Sequence, residues 1–254
     1  MEQNDRLMSA ILDIGEAMLE ACGEVSRVET SIQLLAQAYG YTHVNVFTII
    51  FSIVVSAQDA EGRVVSHSRR ISRWNTDMHR LEQLNALSRR LCAEPAPAEE
   101  IIAAVERIRN GPRYPSWLMC VLYLIIPIAM SMFFGANLWE GLASSACGVV
   151  LWNVERLGTH LRFKPLVQCF FCSVTVGLCA SILVAIFPSL QIGKVIIGNI
   201  MLLISGLALT VSLRDMINGD TITGLLGFSD AILRALLIAI GVALVPMLLG
   251  GFLP

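Results

Sequence analysis

Ser116 to Gly135 reads SWLMCVLYLIIPIAMSMFFG, a run with no charged side chain. A helix rising 1.5 Å per residue needs about 20 such residues to cross the roughly 30 Å hydrocarbon core of a bilayer. This stretch therefore predicts a membrane crossing. Four more largely apolar runs follow, Leu138 to Val154, Leu166 to Phe187, Val195 to Leu213 and Ala231 to Leu253. The expected fold class is a polytopic α-helical membrane protein with about five transmembrane helices. Pro127 and Pro246 sit inside runs, where membrane helices tolerate a kink. Gly141 with Ser145, Gly177 with Ser181 and Ala208 with Ser212 repeat small residues at four-residue spacing, which lets helix backbones approach.

The composition agrees with that reading. The chain is 55% hydrophobic and only 15% charged, with a mean hydropathy of +0.67, whereas soluble domains carry about a quarter charged residues. Most Arg, Asp and Glu precede Tyr114. Residues 1–114 are expected to form a small α+β cytoplasmic domain, and residues 115–254 the transmembrane helical domain. No basic patch with interleaved aromatics appears, which sets nucleic acid aside as a partner. No basic stretch leads into an apolar core at the start, so no cleavable signal peptide is expected.

Within the first part, Leu7, Ile11, Ile14, Met18 and Ala21 recur at steps of three and four, with Asp13, Glu16 and Glu20 off the stripe. That pattern predicts an amphipathic helix over about residues 5–21, ended by Gly23. Further helices are expected over about 26–38, 76–92 and 98–109. Between the second and third, His43 to Ser56 is rich in Val, Ile, Phe and Thr and predicts one long or two short strands. A turn at Gln58–Gly62 and a partner strand over Arg63–Ile71 complete that segment.

Loop charge sets the expected orientation. With the N-terminus cytoplasmic, Arg113, Arg156, Arg162, Lys164, Arg214 and Arg234 fall inside and Lys194 outside, which is the positive-inside pattern. Five crossings then leave Pro254 outside.

No catalytic constellation is evident, and an enzyme is not expected. His43, His67, His79 and His160 are scattered, and no phosphate-binding glycine loop is present. Cys169 and Cys172 form a C-x-x-C without a nearby His or acid, so the pair reads as packing; no metal and no cofactor is expected. Polar groups at membrane depth are costly and tend to be functional. Glu140, opening the second run, is either an interfacial acid or a substrate group. Asn199 lies within an apolar run and reads first as a helix-to-helix hydrogen bond. Arg214, Asp215 and Asp220, continuing through Thr221, Thr223 and Gly224, form either an ordinary cytoplasmic loop or a re-entrant, gating segment. Glu24, Arg27 and Glu29 surround the start of the second helix, where acids favour the positive helix end.

These residues resemble a known family. Cys22-Gly23-Glu24-Val25-Ser26-Arg27-Val28-Glu29 is similar to the G-A-E-x-x-R-V-E segment of the threonine/serine exporters, with Cys22 and Gly23 in place of its Gly and Ala. Leu81, Leu84, Asn85, Leu87, Ser88 and Arg89 resemble a second stretch of that family. Arg113-Tyr114-Pro115 with Trp117, Trp139-Glu140-Gly141, and Asp215, Gly219 and Thr223-Gly224 resemble three more. The family often has P-G-x-P-L-x-N before the acidic position, where this chain has Ser205, Gly206, Ala208, Leu209 and Val211. Members occur fused, with ten crossings, or split into a longer and a shorter subunit. The resemblance implies the longer subunit of the split type. Its partners would be a shorter polytopic membrane subunit, membrane lipid and a small-molecule substrate. Threonine or serine is the implied substrate, with succinate or another dicarboxylate as the alternative. The competing class is a non-transporting membrane scaffold or sensor.

Overall fold

The structure is a computed structural model, which describes residues 2–71, 76–111 and 114–249. Ten helices and three strands are found among the described residues. The chain divides into two compact units, Met1–Pro112 with Leu207–Phe228, and Arg113–Gly206 with Ser229–Pro254. Arg113 and Pro254, both used in the orientation argument, lie outside the described residues.

The first unit is built around α1 (Glu2–Glu20), with α2 (Val25–Ala38), α3 (Met78–Ala93) and α4 (Ala98–Arg109) packed on it. Met8, Ala10, Ile11, Leu12, Ile14, Ala17, Met18 and Leu19 are all buried. The helix is thus enclosed on more than the one stripe its sequence advertises. Its acids meet bases in place of water: Arg69 lies 3.4 Å from Asp13, and Arg109 lies 3.5 Å from Glu16 and 3.2 Å from Glu20. β1 (Thr42–Ile49), β2 (Ser52–Gln58) and β3 (Val64–Arg70) form an antiparallel meander in the order β1-β2-β3. Ile49 pairs with Ser52 across a two-residue turn, and Ser52 pairs with Arg70. Ile53 and Val55 point into the core shared with Ile32 and Leu35 of α2.

The second unit holds α5 (Ser116–Phe133), α6 (Leu138–His160), α7 (Pro165–Ile186), α8 (Ile192–Leu203) and most of α10 (Thr221–Leu249). Cys147, Leu151, Cys172, Val176, Val195 and Val242 form its interior. Close approach is made by small residues. A Cβ on Gly177 would lie 2.6 Å from the Val242 carbonyl oxygen, and one on Gly241 would lie 2.2 Å from Ser173 Oγ.

Two expectations are corrected. The run Val195–Leu213 is not one helix. It divides at Ile204–Ser205 into α8 and α9 (Gly206–Ile217), although the two prolines and the asparagine of the family pattern are missing here. Thr221, Thr223 and Gly224 do not belong to a polar loop but form the first turn of α10. Only Asn218, Gly219 and Asp220 connect α9 to it, with Gly219 at φ +100° taking the left-handed turn. Among the described residues three helices, α5, α7 and α10, are long and apolar enough to cross a membrane, and α8 with α9 makes a fourth if the broken pair is one span. α6 is long enough, but its last third carries Asn153, Glu155, Arg156 and His160.

Candidate functional site

Helix α1 ends in a turn closed by Gly23 N–H to the Met18 carbonyl at 2.9 Å and Cys22 N–H to the Leu19 carbonyl at 3.0 Å. Cys22 takes the left-handed position at φ 69°, which helix ends normally give to glycine. Gly23 is required beside it, because a Cβ there would sit 2.9 Å from the Met18 oxygen. The turn delivers Glu24 as the residue before α2, with its backbone extended and its side chain not used as a cap.

That carboxylate is used elsewhere. Glu24 Oε1 is ion-paired with the Arg214 guanidinium, and Glu24 Oε2 lies 3.8 Å from Arg27 Nε. The Val25 N–H, next along the turn, donates to the Asp215 carboxylate. Asp215 is only 4% exposed, and its Oδ1 has no hydrogen-bond partner among the described residues. It borders a cavity of about 20 Å³, lined also by Cys22, Val25, Ile50, Val211 and Ser212. A cavity of that size holds one water molecule.

Glu29, one turn into α2, accepts the Thr48 backbone N–H at 2.7 Å. Burial raises its carboxyl above the ordinary range and the charge of Asp220 adds to this, against the pull of that hydrogen bond. Asp220 N–H in turn bonds the Asp215 carbonyl at 2.9 Å. The start of α10 packs tightly on α9, since a Cβ on Gly224 would lie 2.6 Å from the Ser212 carbonyl and one on Gly227 would lie 2.3 Å from Ser212 Oγ. Two motifs from distant parts of the chain, Glu24-Arg27-Glu29 and Arg214-Asp215-Asp220, therefore form one site within the first unit. It carries four carboxylates and two guanidinium groups.

Glu140 and Asn199 belong to the second unit and do not join each other. Glu140 completes a capping box with Asn137, accepts the Gln191 N–H at 3.2 Å and lies 3.5 Å from Lys194 Nζ. It clamps the start of α6 to the start of α8. Asn199 Nδ2 reaches the Ser144 carbonyl, Ser144 Oγ and the Val195 carbonyl at 2.9–3.1 Å. Its Oδ1 is buried without a hydrogen-bond partner among the described residues. Sequence reasoning passed over Glu155, which accepts a hydrogen bond from the Tyr123 hydroxyl. The signal was the lack of a proline between Val154 and Pro165, since the single Gly158 does not by itself end a helix. No group of three His, Cys, Asp or Glu side chains among the described residues is arranged to hold a metal ion.

The apolar helices and their small-residue contacts define an α-helical membrane protein. A family model described as "Putative threonine/serine exporter" matches residues 9–249, and the chain belongs to that family of membrane exporters. It is 27% identical over 246 residues to a protein of Mycobacterium tuberculosis (strain ATCC 25618 / H37Rv) described as "Probable threonine/serine exporter", covering 93% of this chain and 45% of that protein. It is 22% identical over 249 residues to the "Threonine/serine exporter" of Corynebacterium glutamicum, covering 94% of this chain and 50% of that protein. The chain thus spans about half the length of the curated relatives it matches. No solved structure matches it.

Proposed function

We propose that the chain is one subunit of a secondary exporter of small hydrophilic metabolites, with threonine or serine as substrate. The observation that carries this reading is the family match, which runs from α1 through α10 and so includes both halves of the Glu24–Asp215 site. The resemblance to the split members of the family supports a shorter polytopic membrane subunit as the partner that completes the transport unit. A proton gradient supplies the energy. The N-terminus faces the cytoplasm, as the loop charges favour, with five crossings counting α6 and the broken α8–α9 pair. Asp215, buried beside a water-sized cavity and hydrogen-bonded at one oxygen only, is the residue that senses or gates.

The test is export from cells that express the chain with and without the shorter partner, against threonine, serine and succinate. The pair is expected to lower intracellular threonine or serine, and the chain alone is not. Export of succinate but no amino acid would move the assignment to dicarboxylates. Unchanged levels of all three would favour a scaffold or sensor.

A further inference from the structure

α6 runs past the apolar stretch to His160, so Glu155 lies on the helix, about 8 Å from its end at 1.5 Å per residue. The Tyr123 hydroxyl on α5 donates to Glu155 Oε2. No Arg, Lys or His among the described residues forms an ion pair with Glu155. A carboxylate has room for about four hydrogen bonds, and this half-buried one keeps acceptor capacity beyond the Tyr123 contact. Gln168 Nε2 on α7 comes to the same place, bonding the Glu155 carbonyl at 3.1 Å and Thr159 Oγ1 at 3.4 Å.

A cation, Arg234, lies on α10. On α7 the Cys169 thiol is within electrostatic reach of Glu155, Asp230 and Arg234. α7 and α10 touch just beyond, where Ser173 Oγ comes 3.4 Å from the Leu237 carbonyl. Arg234 Nε donates to Asp230 Oδ2 at 2.8 Å, which occupies one of the five N–H donors a guanidinium carries.

We propose that Glu155, held by Tyr123, receives the ammonium group of an α-amino acid, and that Arg234 receives its carboxylate. A zwitterion needs this pair of opposite charges, and a guanidinium binds a carboxylate well. A dicarboxylate would instead face repulsion at Glu155. Glu155 lies within the last two turns of α6, so the site loads from the end of the bundle where that helix finishes. The assignment rests on the amino-acid exporter reading above.

Inverted membrane vesicles that carry the chain together with its shorter partner subunit, energised with a proton gradient and supplied with radiolabelled threonine, test it. Glu155→Gln keeps the shape and the Tyr123 contact while removing the charge. Its uptake at low threonine is expected to fall at least tenfold, mainly through KM, with Glu155→Asp recovering part of the loss. N-acetylthreonine, which has no ammonium, should compete poorly in the wild type. A wild-type KM for Glu155→Gln at matched membrane levels overturns the site while leaving the exporter reading standing. A loss confined to kcat, with KM unchanged, likewise overturns it. Wild-type vesicles that accumulate neither threonine nor serine take down the exporter reading, and the site with it.

Discussion

Arg214 and Glu24, from opposite ends of the chain, form an ion pair in which the carboxylate is 12% exposed and the guanidinium 60%. The pair ties the residue that precedes α2 to the last turn of α9 within one unit. Solvent screening of the exposed partner limits what it contributes to stability to about 1 kcal/mol. A double-mutant cycle of Glu24→Gln and Arg214→Gln, followed by thermal unfolding in detergent, should return a coupling of that size. Exchanging the two, Glu24→Arg with Arg214→Glu, should restore export lost in the single variants. Failure of the exchange to restore anything would show that other contacts hold the turn.

Asp215→Asn removes charge and the titratable group while keeping shape. The Val25 N–H still finds an acceptor oxygen. Export is expected to drop severely while membrane levels stay near wild type, as immunoblotting of the membrane fraction would show. Equal export at matched levels would reduce Asp215 to a structural acceptor for α2.

Cys22 holds a left-handed backbone conformation that costs a non-glycine residue about 1–2 kcal/mol. Cys22→Gly relieves this and Cys22→Ala does not, although both remove the thiol. The glycine variant should therefore be more stable than the alanine variant by about 1 kcal/mol, after the extra chain entropy of glycine is counted. The comparison is a pair of melting curves, and the reverse order would contradict the strain argument.

Glu140→Ala leaves the Asn137 and Gln191 N–H groups without their acceptor and Lys194 without its partner. The expected loss is about 3 kcal/mol. Glu140→Gln retains an acceptor and should lose about half as much. Neither is expected to change the KM for substrate, which distinguishes a clamp from a transport residue.

Asp59 gives the pH dependence. Burial alone would raise its carboxyl, but the Arg63 backbone N–H and guanidinium outweigh burial and bring it down to about 2. The ordinary value is about 3.9. A carboxyl depressed in the fold adds stability above its unfolded value and loses it as pH falls toward the folded one. Unfolding followed between about pH 4 and pH 2 should therefore show a slope that Asp59→Asn diminishes.

Local pattern made most elements readable. The Leu7-Ile11-Ile14-Met18 stripe marked α1 from its period alone. The burial of Ala10, Leu12, Ala17 and Leu19 was not readable, because small and aliphatic residues suit a half-covered helix as well as an enclosed one. Asp13, Glu16 and Glu20 looked solvent-facing only because Arg69 and Arg109 are far away in sequence. The break at Ile204–Ser205 lies in an apolar run without proline, where hydropathy is blind to geometry. Both halves of the candidate site stood out as polar motifs. That Glu24 meets Arg214 is a tertiary fact without a local signal. Glu155 was lost because hydropathy closed the second run at Val154, while the helix itself continued.

The first unit is discontinuous in sequence, since Leu207–Phe228 supply α9 and the opening turns of α10 to a body otherwise made of Met1–Pro112. Its early part leaves the ribosome long before the closing piece is synthesised. Until then Glu24 lacks Arg214, and the cavity beside Cys22 and Ile50 lacks its Val211 and Ser212 wall. The nascent protein must carry an unfinished face while four intervening helices are made. Completion of the N-terminal body is thereby a report that synthesis has reached at least Phe228. A truncated chain released before that point would display the open face, which is a surface that cellular quality control can recognise.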